Sequence, residues 1–246
     1  MSVYIHGGLR IPIGVLKGQY RNMRPEMLGA QLINELINRY DISQVDGIFC
    51  GNAVGTGGNI GRLMGLMTNL PNSVPAITVD MQCASALMSI EMAYTHIASG
   101  VMDSAIAGGI ESSSLQPDRM YAAGDNREGL YKVAQFSPND CSPLAMLEGA
   151  ERTIQKHNVL KEDLYPYIIG SHQRAIEALD NPYLQSYIMP ITIDGKACVD
   201  ECIRPKMNEK LLSRMKPLLG PNSITNAGNA CLTHDGAAFV YVSNEK

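Results

Sequence analysis

A single cysteine, Cys83, stands where a fold could place a reactive thiol. It follows an apolar run over residues 74–79 that is typical of a β-strand, and it precedes a segment with apolar residues at helical spacing that ends at Gly100. The first backbone N–H groups of a helix have no partner within it, so they stabilise a thiolate and can hold the oxyanion that forms on an attacked carbonyl. From position alone one alternative stays open, in which Cys83 is a small buried residue that fills a tight turn.

The elements that must position this cysteine alternate between strand and helix. Apolar residues recur at helical spacing over 25–40, and a short β-like run begins at 105–107, where the two glycines that follow are expected to end it. Such alternation predicts a parallel or mixed sheet with helices packed on it. The run GAAFVYVS at 236–243 has the composition of a strand in the middle of that sheet.

Composition divides the chain into three stretches. Residues 1–111 form the predicted core, and residues 112–222, which are rich in Pro, Asn, Asp and Met, form an inserted stretch with helices at 145–156 and around 167–179. Residues 223–246 return to the core. Pro166 and Gly170 argue against one long helix in the insert.

The overall totals exclude several classes of protein. With 246 residues, 45% apolar and 18% charged, the composition is that of an ordinary globular protein. A net charge of -4 without a basic run argues against a nucleic-acid surface. No apolar run approaches the roughly 18 residues of a membrane span, and the first residues do not have the order of a signal peptide, so the cytoplasm is the expected location.

The remaining cysteines predict free thiols and no metal site. They are Cys50, Cys141, Cys198, Cys202 and Cys231. Cys198 and Cys202 form the one close pair in the sequence, but no histidine stands at a matching spacing, which argues against zinc.

The cysteine segment resembles the active-site segment of the thiolase family. It reads VDMQCASALMSIEMAYTHIASG at 79–100, and IAGGIESSS follows it at 106–114. Further matches occur in the family's order, namely RIPIG at 10–14, GNAVGTGGNIGR at 51–62, SHQRA at 171–175, IRP at 203–205 and NAGNACLTHDGAA at 226–238. Together they cover the whole chain.

This resemblance implies both a fold and a reaction. The fold would be the five-layered α/β thiolase fold, with a mixed sheet, helices on both of its faces and an inserted, mainly helical loop domain. Cys83 would be the nucleophile, which takes an acyl group from an acyl-CoA thioester. Acetyl-CoA would then attack this acyl-enzyme to give a 3-ketoacyl-CoA such as acetoacetyl-CoA, or CoA would drive the reverse reaction. Acetyl-CoA and CoA would be substrates, and no cofactor would be permanently bound.

The resemblance also places CoA on the loop domain. By position, Arg204 matches a residue near the adenine nucleotide, Met146 matches a methionine of the pantetheine tunnel, and Ala227, Ala230 and Cys231 match a segment along the same arm. The sequence departs from the family at two of these places. Cys231 replaces a serine that hydrogen-bonds pantetheine, and an alanine stands just before Met146 where many members have histidine.

Three motifs that complete a thiolase do not occur in these 246 residues. They are GHP, whose histidine deprotonates the nucleophile, CxG, whose second cysteine moves the α-proton of the substrate, and NEAF, whose asparagine holds a water. Among the five histidines, His172 lies in SHQRA, where a structural role is expected. His96 lies more than three helical turns beyond Cys83, too far to be its base.

The expected protein is therefore the N-terminal half of a thiolase, with the C-terminal half absent from this sequence and supplied by a second polypeptide. A homo- or hetero-oligomer is expected, because a layer of apolar helix surface would otherwise stay uncovered.

Three alternatives stay open. One is a non-catalytic thiolase-like subunit that binds acyl-CoA or acts as a scaffold, and the retained Cys83 counts against it. Another is a ketosynthase-like enzyme of the same ancestral fold, against which SHQRA and AGNAC count. The third is a fragment without a function of its own.

Overall fold

Two units make up the part of the chain that the computed structural model describes, which is residues 2–55, 58–135, 137–138 and 142–244. The first unit comprises Met1–Pro117, Ser186–Glu201 and Thr233–Lys246. The second unit comprises Asp118–Gln185 and Cys202–Leu232. Cys141 and positions 56–57 of the GNAVGTGGNIGR motif lie outside the described residues. The other five cysteines are free thiols, as predicted.

The strands of the described residues form one large sheet and two small hairpins. They are β1 (Tyr4–Arg10), β2 (Gly14–Val15), β3 (Ile48–Gly51), β4 (Ala76–Val79), β5 (Ser104–Ser112), β6 (Arg119–Met120), β7 (Leu130–Tyr131), β8 (Thr192–Ile193), β9 (Lys196–Ala197) and β10 (His234–Ser243). The large sheet has the order β1-β10-β5-β3-β4, with β2 beside β10. Strands β5, β3 and β4 are parallel, whereas β10 is antiparallel to its neighbours. The predicted mixed sheet is confirmed, with β10 in its middle.

The helices follow the predicted pattern with shifts at their ends. They are α1 (Pro25–Arg39), α2 (Ile60–Gly65), α3 (Ser85–Ala98), α4 (Ala145–Lys156), α5 (Tyr165–Leu179), α6 (Pro182–Gln185) and α7 (Glu209–Ser213), with a 3₁₀ turn at Glu162–Leu164. None of the helices in the described residues is long and apolar enough to cross a membrane.

Helices cover both faces of the large sheet, as predicted. Alternate residues of a strand point to opposite faces, so Ile48 and Ile106 join the core under α1 and α2. Phe49 and Ala107 join a smaller core under α3 on the other face. The buried strands can therefore be apolar on both sides, as parallel strands require.

The prediction that β5 stops at its glycine pair is wrong, because β5 continues to Ser112. A Cβ on Gly108 would lie 2.7 Å from the Cα of Phe239, and a Cβ on Gly109 would lie 2.8 Å from the carbonyl oxygen of Gly51. Neighbouring backbones approach closely here, and glycine makes room for them without ending the strand.

Residues 186–201 pack with the sheet of the first unit, although their composition resembles that of the inserted stretch. Met189 and Ile191 are buried in the larger core. The Arg10 N–H donates to Tyr187 O at 2.9 Å, and the Arg10 guanidinium pairs with Asp200 at 2.7 Å. Burial opposes ionisation of Asp200, but Arg10 and the Ile13 N–H outweigh it and lower the pKa of this carboxyl.

The second unit is mainly helical, as predicted. Its buried core is small, with Tyr165, Met207 and Leu212 at its centre. Among the described residues of the insert, α4 and α5 are separate helices, which agrees with the prediction of no single long helix, and α5 itself runs through Gly170 without a break. Pro166 stands in the first helical turn, where its missing N–H has no partner to lose.

Candidate active site

Cys83 lies in a tight turn between β4 and α3. The Ser85 hydroxyl accepts the Met81 N–H at 2.8 Å and donates to the Gln82 carbonyl at 2.6 Å. Gln82 has a φ of 55°, a left-handed conformation that costs a residue with a side chain about 1–2 kcal/mol. A strained backbone conformation persists only where the surrounding contacts hold it in place. Here the hydrogen bonds of Ser85 hold Gln82, the residue that precedes the cysteine.

The side chain of Cys83 is exposed, so the alternative of a buried structural cysteine is not what the structure has. The Ala84 and Ser85 N–H groups are used inside the turn, where they donate to Met81 O and Gln82 O, both at 3.1 Å. A thiol at this position is accessible to a substrate.

Gly51, at the end of β3, lets the start of α3 rest directly on the sheet. A Cβ on Gly51 would lie 2.6 Å from the Ala86 nitrogen and 2.7 Å from the Ser85 carbonyl carbon. Both are backbone atoms that cannot rotate away. The absence of a side chain at Gly51 thus fixes how far the helix of the cysteine sits above the sheet.

A carboxylate organises the loop that follows β3. Glu111 accepts the N–H groups of Ala53 at 2.9 Å and Val54 at 2.8 Å, as well as the amide of Asn52 at 2.9 Å. Asn52 in turn donates its N–H to Val79 O at the end of β4. The IAGGIESSS and GNAVGTGGNIGR motifs therefore meet at the carboxyl ends of the parallel strands, which is also where the turn with Cys83 begins.

No histidine among the described residues is hydrogen-bonded to Cys83. His96 donates from Nδ1 to the Met92 carbonyl at 2.8 Å, and its ring packs against Phe49 with centroids 5.1 Å apart. His96 is therefore engaged within its own helix and core, which agrees with the conclusion that it is not the base for Cys83.

In the second unit, Arg204 and Ala227 are brought together. The Arg204 guanidinium donates to the Ala227 carbonyl at 3.3 Å, and the Arg204 N–H donates to Nδ1 of His172 at 3.2 Å. Burial, together with the charge of Arg204, lowers the pKa of His172. His172 is therefore a neutral imidazole, and its Nδ1 accepts the hydrogen bond from the Arg204 N–H.

The other expected CoA residues also belong to the second unit, whereas Cys83 belongs to the first. Met146 is 66% exposed in the first turn of α4, and Cys231 is exposed, with its Sγ 3.3 Å from Leu232 O. The Ala230 N–H donates to the Asn226 carbonyl at 2.9 Å.

Glu151 is a buried carboxylate that motif comparison did not single out. Burial alone would raise its pKa, but hydrogen bonds from Thr225, Ile224 and Ser223 outweigh burial and lower the pKa to about 2. A lone glutamate inside a helix with charged neighbours in sequence gives no signal that it is buried.

The low pKa of Glu151 predicts how stability depends on pH. Since its pKa in the folded chain lies below its ordinary value of 4.5, its contribution is full above pH 4.5 and is lost as pH falls towards 2. We expect the difference in unfolding free energy between the wild type and Glu151→Gln to narrow over this range in chemical denaturation. A difference that stays constant from pH 6 to pH 3 would contradict the assignment.

Comparisons with known proteins agree with this geometry. The family model "Thiolase, N-terminal domain" matches residues 3–246. VraB of Staphylococcus epidermidis, provisionally named an acetyl-CoA C-acetyltransferase, is 32% identical over 243 residues, which is 96% of this chain and 63% of VraB. VraB of Staphylococcus aureus is 32% identical over 240 residues, with 95% and 63% covered.

A solved structure gives the same result at the level of fold. The crystal structure of the Bacillus anthracis acetyl-CoA acetyltransferase matches with a TM-score of 0.88 at 25% identity, over 99% of this chain and 65% of that one. The chain thus spans slightly under two thirds of the length of these relatives. The matched domain, the fold and the cysteine segment together show that the chain belongs to the thiolase family.

Proposed function

We propose that this chain provides the nucleophile of a thiolase-type acyltransferase. The Cys83 thiolate attacks the carbonyl carbon of an acyl-CoA thioester, the bond from that carbon to the CoA sulfur breaks, and CoA leaves as a thiol after protonation. The α-carbanion of an acetyl-CoA then attacks the acyl-enzyme, so that a carbon–carbon bond forms and the Cys83 thiolate is released with a 3-ketoacyl-CoA. The observation that carries this proposal is the exposed Cys83, held in a strained turn at the start of α3.

CoA binds to the second unit in this proposal, as substrate and without a permanently bound cofactor. Arg204 is a planar, permanently charged donor suited to phosphate, near the adenine nucleotide end. Met146 is exposed and flexible enough to line the pantetheine arm. Ala227, Ala230 and Cys231 lie along the same arm, where Cys231 is a weaker donor than the family's serine.

The acid–base groups come from polypeptide outside these 246 residues, which we propose to be a second chain with the thiolase C-terminal half. The GHP, CxG and NEAF motifs do not occur in the sequence, and no described histidine is bonded to Cys83. Each general acid or base contributes about 10² to 10⁴ in rate, so Cys83 by itself would be a poor catalyst.

An uncovered apolar surface on the first unit supports this partner. A groove of about 570 Å³ is lined mostly by apolar side chains, among them Leu9, Ala86, Ile90 and Phe239. A second groove of about 430 Å³ shares Ile90 with it. Since Ala86 and Ile90 belong to the helix that follows Cys83, a partner seated there would lie next to the nucleophile.

A complementation experiment tests the proposal. The purified chain is incubated with acetoacetyl-CoA and CoA, alone and with the separately produced C-terminal portion of a thiolase. We expect an acetyl adduct on Cys83 by mass spectrometry, and thiolysis at least about 10²-fold faster with the added portion. No adduct and no thiolysis in any combination would refute the enzyme proposal.

The alternative of a non-catalytic acyl-CoA-binding or scaffold subunit is favoured by one observation, the lack of a base bonded to Cys83 in the described residues. It predicts CoA binding without any adduct, even with the added C-terminal portion. The same experiment therefore distinguishes the two.

A further inference from the structure

In the second unit, Glu151 of α4 is only 7% exposed, and within the described residues no cation forms an ion pair with it. Instead it receives four hydrogen bonds from one short stretch. Oε1 accepts the Ile224 N–H at 3.1 Å, and Oε2 accepts the Thr225 N–H at 3.0 Å. Oε2 also accepts the hydroxyls of Thr225 at 2.6 Å and Ser223 at 2.9 Å.

The stretch held by Glu151 leads directly into the segment 226–231. Asn226 is buried, and its side chain accepts the Gly228 N–H at 2.8 Å. The Asn226 N–H donates to the Asn229 side chain at 2.7 Å, while the Asn226 carbonyl accepts the N–H of Ala230 at 2.9 Å. The hydrogen bonds of Asn226 therefore shape 226–231, and Asn226 directly follows the stretch that Glu151 holds.

A close contact with the small core of the second unit also holds the segment 226–231. A Cβ on Gly228 would lie 2.6 Å from a methyl of Leu212 and 2.7 Å from the sulfur of Met215. The segment thus lies flat on the small core of the second unit, and Arg204 holds its Ala227 carbonyl. The segment is therefore contacted by Arg204 and by this core, and it follows directly on the stretch that Glu151 holds.

We propose that Glu151 is a positioning residue for CoA, which acts by holding 223–225 so that 226–231 presents its contact surface to the CoA arm. This inference rests on the proposed function, because it takes 226–231 as part of the CoA site. A carboxylate is required since all four donors point at it and both of its oxygens only accept. A glutamine would keep one accepting oxygen and would turn an NH₂ group towards donors.

The test compares Glu151→Gln and Glu151→Asp with the control Glu177→Gln, which alters an exposed glutamate of α5. CoA affinity is measured by calorimetry. Acylation of Cys83 is followed with acetyl-CoA and with S-acetyl-N-acetylcysteamine, a thioester that lacks the nucleotide end. We expect Glu151→Gln to weaken CoA binding about 10- to 100-fold, the size of effect seen when residues that orient metal ligands are lost, and to slow acylation by acetyl-CoA. Acylation by the truncated thioester should stay within about twofold of the wild type.

Amide hydrogen exchange provides a readout that does not need CoA. Glu151→Gln should speed exchange at Ile224, whose N–H loses its acceptor when the single amide oxygen takes the place of Oε2 with its three donors. Glu151→Asp should restore part of both protection and CoA affinity. If Glu151→Gln slowed acylation equally with acetyl-CoA and with the truncated thioester, general unfolding would explain the effect and the positioning role would be overturned. Unchanged CoA affinity in Glu151→Gln would also overturn it.

The two proposals can fail separately. Wild-type chain that binds no CoA would refute the CoA site of the proposed function and the positioning role with it. Wild-type chain that binds CoA as tightly as Glu151→Gln does would refute the positioning role alone.

Discussion

Replacement of Cys83 by serine is expected to abolish acylation of the chain by acetyl-CoA, with a loss of about 10⁴-fold or more. A serine hydroxyl ionises far less readily than a thiol, and a hydroxyl is a far weaker nucleophile than a thiolate. The measurement is the mass of the protein and of its peptides after incubation with acetyl-CoA, alone and with the added C-terminal portion.

Cys202→Ser is the matched control for this variant, since Cys202 is a partly exposed free thiol of the second unit for which no role is proposed. It should acylate like the wild type. An adduct that persists in Cys83→Ser, or one that disappears in Cys202→Ser, would show that the acyl group is not carried by Cys83.

Gly51→Ala is expected to have the next largest effect, on stability and on acylation together. The new Cβ would lie 2.6 Å from the Ala86 nitrogen, and overpacking of this kind costs about 1–3 kcal/mol. Relief of the clash requires α3 to move away from the sheet, which displaces the turn that holds Cys83. Both the midpoint of chemical denaturation and the rate of adduct formation should fall.

A helical glycine without such a contact is the control. In Gly149→Ala the nearest atom to the new Cβ would be the end of the Arg152 side chain at 3.8 Å. This variant should be neutral or more stable by about 0.5–1 kcal/mol, since alanine favours helix more than glycine does. If Gly51→Ala were as stable and as readily acylated as the wild type, the close approach of α3 to β3 would not be what positions Cys83.

Local patterns predicted those elements whose own residues decide their structure. Apolar residues at helical spacing over 25–40 gave α1 almost to the residue, because one face of a helix must be buried whatever it packs against. Where a neighbour decided the outcome, the pattern failed. The glycines of β5 looked like a strand end, yet they accommodate the backbones of β10 and β3.

The candidate site divides in the same way. The motif around Cys83 and its match to the thiolase family predicted which residue is placed at the start of α3, because strand, turn and helix are adjacent in sequence. Gly51 and Glu111 became part of this site only through the sheet, which brings the ends of separate strands to one edge.

The sequence by itself determined the family of this protein, the position of Cys83 between a strand and a helix, and the lack of the GHP, CxG and NEAF motifs, since each of these is written in contiguous residues. The tertiary structure alone decided that residues 186–201 pack with the sheet, and that Glu151 is a buried anchor for a segment more than seventy positions later. Burial and hydrogen bonding between distant residues depend on which surfaces meet, and no local pattern of residues specifies that meeting.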